Sequence, residues 1–222
     1  MKRHFVYNRN NRQINNPKTM TNFFSKTDQV KLEKWERKLS HALEARTLLE
    51  KWIFVHAAGV LFAKKPGELI IMKKDMFGLN SPKCQKITES FCRSWNLEHL
   101  LLYENGHSLK IMLYRADAVD HRIATASKKI MHCVLKYPFN LDSSAFLEEV
   151  AIRWNTSGSI PHEIGIALGY PLKDVWGFMG ISADSCSGSC GWKIFGDPEP
   201  SMKRKHRYEK ARELASQYIH AA

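Results

Sequence analysis

Four side chains stand where hydrophobic period does not account for them: His56, His162, Tyr170 and Lys193. His56 opens His56-Ala57-Ala58-Gly59-Val60-Leu61, which is followed by Lys65-Pro66. His162 and Tyr170 lie within the run from Pro161 to Phe178, and Lys193 within Gly191-Trp192-Lys193-Ile194-Phe195-Gly196-Asp197. His162 follows a helix-starting proline. The dipole there disfavours a cation, and a neutral imidazole can take a proton or bind a metal. Small residues beside His56 let a ligand or another backbone approach closely, and a Gly-containing bend is expected just after it. Lys193 and a helix N-terminus would be the partners of an anion, and the two histidines those of a metal or haem. The expectation is one pocket lined by His56, His162, Tyr170 and Lys193, with Glu163 behind them.

Each of these residues also has a plain packing reading. With Ile160 as cap, Glu163 falls at the third helical position and can reach back to the cap N–H, half of a capping box. Neighbouring helical residues point about 100° apart, so His162 and Glu163 do not pair by themselves. The spacing is not His-Glu-x-x-His, which excludes that class of zinc protease. His56 can be a hydrogen-bonded packing histidine, Tyr170 a packing residue in a tight turn, and Lys193 a solvent-facing strand residue.

The five cysteines suggest neither a disulfide framework nor a zinc site. Cys186 and Cys190 form one C-x3-C pair, and a zinc site needs a second pair. Cys84 and Cys92 read as small core residues on a helix. No metal and no particular cofactor is assigned.

The elements that must position the four residues follow from period and punctuation. A helix is expected from Thr27-Asp28, its stripe running through Leu32, Trp35 and Leu39 and on toward Leu49. Glu68–Met72 reads as a buried strand, and Ser81-Pro82 opens a helix. Leu100–Glu104 and His107–Tyr114 flank Asn105-Gly106, a two-residue hairpin turn that wants positive φ at both positions. Val119 to Val134 reads as one long helix, and Asp142 caps the next. Pro161 starts a short helix, Leu172–Gly180 makes another, Trp192–Phe195 is a fourth strand, and Asp197-Pro198 caps a last helix. This order implies an α+β fold: a small, mainly antiparallel sheet of about four strands covered by several helices.

The specific part of this pattern is Pro161-His162-Glu163-Ile164-Gly165, two residues, Leu168-Gly169-Tyr170-Pro171, then Asp174-Val175 and Gly177-Phe178. Together with Trp192-Lys193 and Gly196-Asp197 it resembles the family called domain of unknown function 3793, found largely in anaerobic bacteria. The resemblance covers roughly residues 40–220. In the first segment the family usually has Cys where this chain has Ala57, Pro where it has Gly59 and Thr where it has Val60. Phe195 stands where Tyr is usual. The missing cysteine weakens a thiolate or metal role for that segment, and the resemblance implies no particular reaction.

Charge bears on partners. The 222 residues carry a net charge of +12. Residues 1–47 hold eleven basic and four acidic side chains and residues 200–222 hold six and two, so the stretch between has 17 and 16. The excess sits at the ends, where it solubilises or makes weak, salt-sensitive contacts with nucleic acid. Residues 1–26 are expected to be a disordered basic arm and 27–222 a single α+β domain; Met20 offers a second possible start. No run is long and apolar enough to span a membrane and no signal peptide is evident, so a cytoplasmic protein is expected.

The function read from these residues is binding of a small molecule or cofactor, with or without catalysis. One alternative is a helix-turn-helix nucleic-acid binder, suggested by the spacing of Gly165, Leu168, Gly169 and Val175. Its reading helix, Leu172–Gly180, is too apolar for base readout and should pack inward. The other is a partner-binding protein without catalysis. Oligomeric state is left open.

Overall fold

The computed structural model describes residues 24–221. The expected arm, with Phe5, Val6 and Tyr7, therefore lies outside the described residues up to residue 23. The packed body begins earlier than Thr27, because Phe24 is buried edge-on against Phe62 and Tyr218. Ser25 and Asp28 form a reciprocal capping box at the start of α1 (Lys26–Leu39).

α1 is shorter than its stripe suggested. Ser40 ends it, Leu43 is 83% exposed, and α2 (Glu44–Phe62) starts afresh. The two are joined through a buried carboxylate: Glu50 accepts the Trp35 indole N–H at 2.9 Å and an Arg46 N–H at 2.8 Å. α2 is apolar around most of its circumference and is accordingly a core helix. It packs against β1 (Gly67–Lys73), α3 (Ser81–Trp95, capped by Asn80) and the last helix of the chain.

β1, β2 (Glu98–Glu104) and β3 (Ser108–Tyr114) form an antiparallel sheet in the order β1-β3-β2. The β2–β3 hairpin is present, but neither Asn105 nor Gly106 takes positive φ. The Asn105 N–H bonds to the Ser108 carbonyl, which puts Gly106 and His107 at the tip. The Asn105 side chain accepts the N–H groups of His107 and Ser108, satisfying the turn without left-handed backbone.

Alternation in β3 divides the core. Leu109, Ile111 and Leu113 face α1, α2, α3 and the last helix, whereas Met112 and Tyr114 face the opposite layer. That layer contains α4 (Ala116–Thr125) and α5 (Ser143–Ser157), capped by Asp142 and ended by Gly158. The single helix expected over 119–134 is broken. Ala126 is extended, Ser127 accepts the Ile130 N–H through its hydroxyl, and the chain resumes as one wide turn over Ile130–Val134.

The remainder carries the motif segments. A 3-10 turn spans His162–Gly165, followed by α5's successor, α6 (Leu172–Phe178). β4 (Cys186–Ser189) and β5 (Lys193–Phe195) pair antiparallel as a separate two-stranded sheet, and α7 (Glu199–Ala221) lies along α2. The fold is α+β as expected. The fourth strand, however, does not join the main sheet; it pairs with β4, whose Cys-Ser-Gly-Ser sequence carries no strand signal. No helix among the described residues is long and apolar enough to cross a membrane.

Candidate ligand-binding site

Asp174 organises the region. It is buried in α6 and accepts four hydrogen bonds: from Lys173 Nζ at 2.6 Å, the Trp192 indole N–H at 2.8 Å, the Phe195 backbone N–H at 3.0 Å, and the Ser201 hydroxyl. One carboxylate thus ties α6 to the β4–β5 hairpin and to α7. Burial pushes its pKa up, but the bonds from Lys173, Phe195, Ser201 and Trp192 outweigh that and hold it below the ordinary carboxylate value of 3.8. Lys173 also donates to the Phe195 carbonyl, so the front of α6 carries no free base-reading group. With Asp174, Val175, Trp176 and Gly177 buried, this helix packs inward as its composition implied.

Close packing holds the adjoining turns. Gly169 has φ +76°, and a Cβ there would lie 2.5 Å from Pro66. This contact brings the Lys65-Pro66 segment onto the Leu168-Gly169-Tyr170-Pro171 segment. Arg204 donates to the Gly169 carbonyl at 2.8 Å and Arg122 to the Tyr170 carbonyl. Burial and the neighbouring Arg204 lower the Arg122 pKa to about 10.

The consequence is a wall. The Tyr170 ring stacks on the Trp192 indole, centroids 4.4 Å apart and planes 15° apart. On one side lies a cavity of about 200 Å³, largely apolar, whose lining includes His162, Phe178, Tyr170, Trp192 and Lys193. On the other lies a cavity of about 300 Å³ whose lining includes His56, Lys65, Glu68, Arg212 and the same Tyr170 and Trp192.

The single pocket expected from sequence is therefore two chambers. His162, Tyr170 and Lys193 come together in the first, where His162 and Lys193 are exposed at the rim. His162 meets the Phe178 ring edge-on, centroids 4.7 Å apart. His56 lies in the second chamber and shares only Tyr170 with the other three. Its position also differs from expectation. It sits inside α2 with no bend after it, because Gly59 continues the helix, and the chain turns only at Ala63. His56 Nδ1 lies 2.8 Å from the Trp52 carbonyl, which can only accept, so Nδ1 carries the proton in the neutral ring. Burial lowers the His56 pKa, the Trp52 bond opposes this, and Arg212 lowers it further. Tyr170 is pushed up to about 12, chiefly by burial and then by Glu68.

Glu163 makes no capping bond. It is buried and accepts from Arg153 at 2.8 Å and from the Tyr137 hydroxyl at 3.2 Å. Its role is to fasten the His162–Gly165 turn to α5 and to Tyr137, in the segment that follows the Ile130–Val134 turn. Asp174, Trp192 and Lys65 lie within the motif segments and line these chambers, although neither hydrophobic period nor spacing marks them as site residues. Asp174 carried a readable signal: an acid in the first turn of a very apolar helix.

Cys84, Cys92 and Cys190 are buried, Cys133 and Cys186 are exposed, and all five are free. Among the described residues no cluster of three His, Cys, Asp or Glu side chains is placed to hold a metal ion.

No curated protein and no solved structure matches this chain significantly. A family model described as a protein of unknown function, DUF3793, matches residues 53–222. That match begins in α2, beside His56, and takes in both chambers and α7, and on its extent the chain belongs to the DUF3793 family.

Proposed function

We propose that this protein is a binding domain for a small organic ligand with an apolar, planar body and one anionic substituent. The observation that carries the reading is the meeting of two motif segments at the stacked Tyr170–Trp192 pair, beside a concave, mostly apolar chamber. Tyr170, Trp192 and Phe178 offer ring faces and edges to a planar body. Lys193, exposed at the rim, is placed for the anionic substituent, and His162 supplies a hydrogen-bonding group beside it.

Anilinonaphthalene sulfonate, a planar aromatic anion, tests this on the full chain. The expected result is saturable binding with energy transfer from tryptophan. Lys193→Ala and His162→Ala should each weaken it about three- to tenfold, in line with loss of one polar or charged contact. Absence of saturable binding, or binding that both variants leave unchanged, overturns the reading.

A further inference from the structure

The second chamber differs in kind from the first. Its walls carry three cations, Lys65, Lys205 and Arg212, against two carboxylates, Glu68 and Glu209. Each carboxylate is already committed: Lys65 pairs with Glu68 at 2.7 Å and Lys205 with Glu209 at 2.6 Å. Arg212 makes no ion pair among the described residues. One positive charge is therefore left uncompensated in a cavity of about 300 Å³.

The chamber is also built around buried polar groups. Lys65 is 92% removed from solvent, with its ammonium 5.3 Å from the centroid of the Tyr208 ring. Tyr208 is itself buried, and its hydroxyl has no hydrogen-bond partner. Arg212 itself is exposed, and its planar fork presents paired N–H donors suited to an oxyanion, with the buried Lys65 lining the same chamber. A cation would meet Arg212 and both lysines, and among the described residues no cluster of three His, Cys, Asp or Glu side chains is placed to hold a metal ion. We propose that this second chamber binds the oxyanionic group of a small molecule, a carboxylate or a phosphate, with Arg212 as its principal partner and Lys205 and Lys65 beside it.

Isothermal titration of the full chain with citrate and, separately, with inorganic phosphate tests the assignment, and the anion that binds names the chemistry. Saturable one-to-one binding of at least one is expected. Arg212→Ala should weaken it about tenfold, the equivalent of one charge-assisted hydrogen bond. Lys203→Ala removes the same charge from an exposed position of α7 outside the chamber and should leave binding within about twofold. No saturable binding of either anion, or equal weakening by Lys203→Ala and Arg212→Ala, overturns the proposal. Because the sulfonate probe depends on Lys193 and the oxyanions on Arg212, each reading can fail while the other stands.

Discussion

The Asp174 carboxylate and the Trp192 indole N–H, eighteen residues apart in sequence, meet at 2.8 Å. This bond sets the indole at the angle that lets Tyr170 stack on it, so a buried acid in α6 fixes the partition between two chambers. Trp192 lines both chambers, and Asp174 holds it without lining the polar chamber itself.

Asp174→Ala should therefore destabilise the fold by about 3 kcal/mol, since it strands the indole and Phe195 N–H groups and a partly buried lysine. Urea unfolding measures this. Asp174→Asn separates charge from shape by acid titration. A carboxylate whose pKa is lowered on folding adds stability above its unfolded value of 3.8, and that stability is lost as pH falls through the folded value. The acid limb of the stability curve below pH 3.8 should flatten in Asp174→Asn; an unchanged limb would show that Asp174 does not govern it.

Gly177 tests the packing beneath the same hairpin. A Cβ there would lie 2.3 Å from the Phe195 ring. Gly177→Ala should cost about 1–3 kcal/mol through overpacking. Adding Phe195→Leu should recover part of that loss, because the two positions share one contact. A strictly additive double variant in thermal or urea unfolding would contradict the contact.

His56 should make the polar chamber respond to pH. The groups lining that chamber with it are Lys65, Glu68, Tyr170, Cys190, Lys205, Tyr208, Glu209 and Arg212. Burial and Arg212 hold the folded His56 pKa below 6.5, so folding favours the neutral ring. Stability from this source is complete above pH 6.5 and is lost as pH falls through the folded value. A bound oxyanion opposes the Arg212 charge and favours protonation, so sulfate, an oxyanion that does not itself titrate in this range, should bind more tightly as pH drops below 6.5, with proton uptake. Calorimetry in buffers of different ionisation enthalpy measures the uptake. His56→Gln should abolish it, and uptake that persists in that variant would assign the proton to another group.

The sequence carried the larger elements because their signals are local. The capping acids, the apolar stripes and the Gly158 and Pro161 breaks each act within a few residues, and the α+β class follows from their order. Local period could not place the breaks at Ser40 and Ala126, where serine hydroxyls end or restart a helix against an apolar pattern that runs on. At the site, His162, Tyr170 and Lys193 were legible as one group because they lie in motif segments that fold against each other. His56 was not correctly placed. Its Gly59 reads as a bend, whereas in the structure a Cβ at that position would meet the Lys65 side chain at 3.1 Å, a close approach inside a continuing helix. The two-chamber arrangement depends on a ring stack between residues 22 positions apart, which no spacing rule specifies.

Removing the wall provides the most direct test of that arrangement. Tyr170 lines both chambers, and its ring is held at 4.4 Å from Trp192. In the wild type, anilinonaphthalene sulfonate and citrate or phosphate should bind independently, each leaving the other's affinity within about twofold, because a packed aromatic pair separates them and water screens the exposed charges. Tyr170→Ala should cost about 2–4 kcal/mol of stability, from lost burial and lost stacking. The folded variant should then have one joined cavity in which two anions share the space between Lys193 and Arg212. Their binding should become mutually opposed, and raising the concentration of one should displace the other. Competition already present in the wild type would mean that the chambers are not separate. Continued independence in a folded Tyr170→Ala protein would mean that Tyr170 is not what divides them.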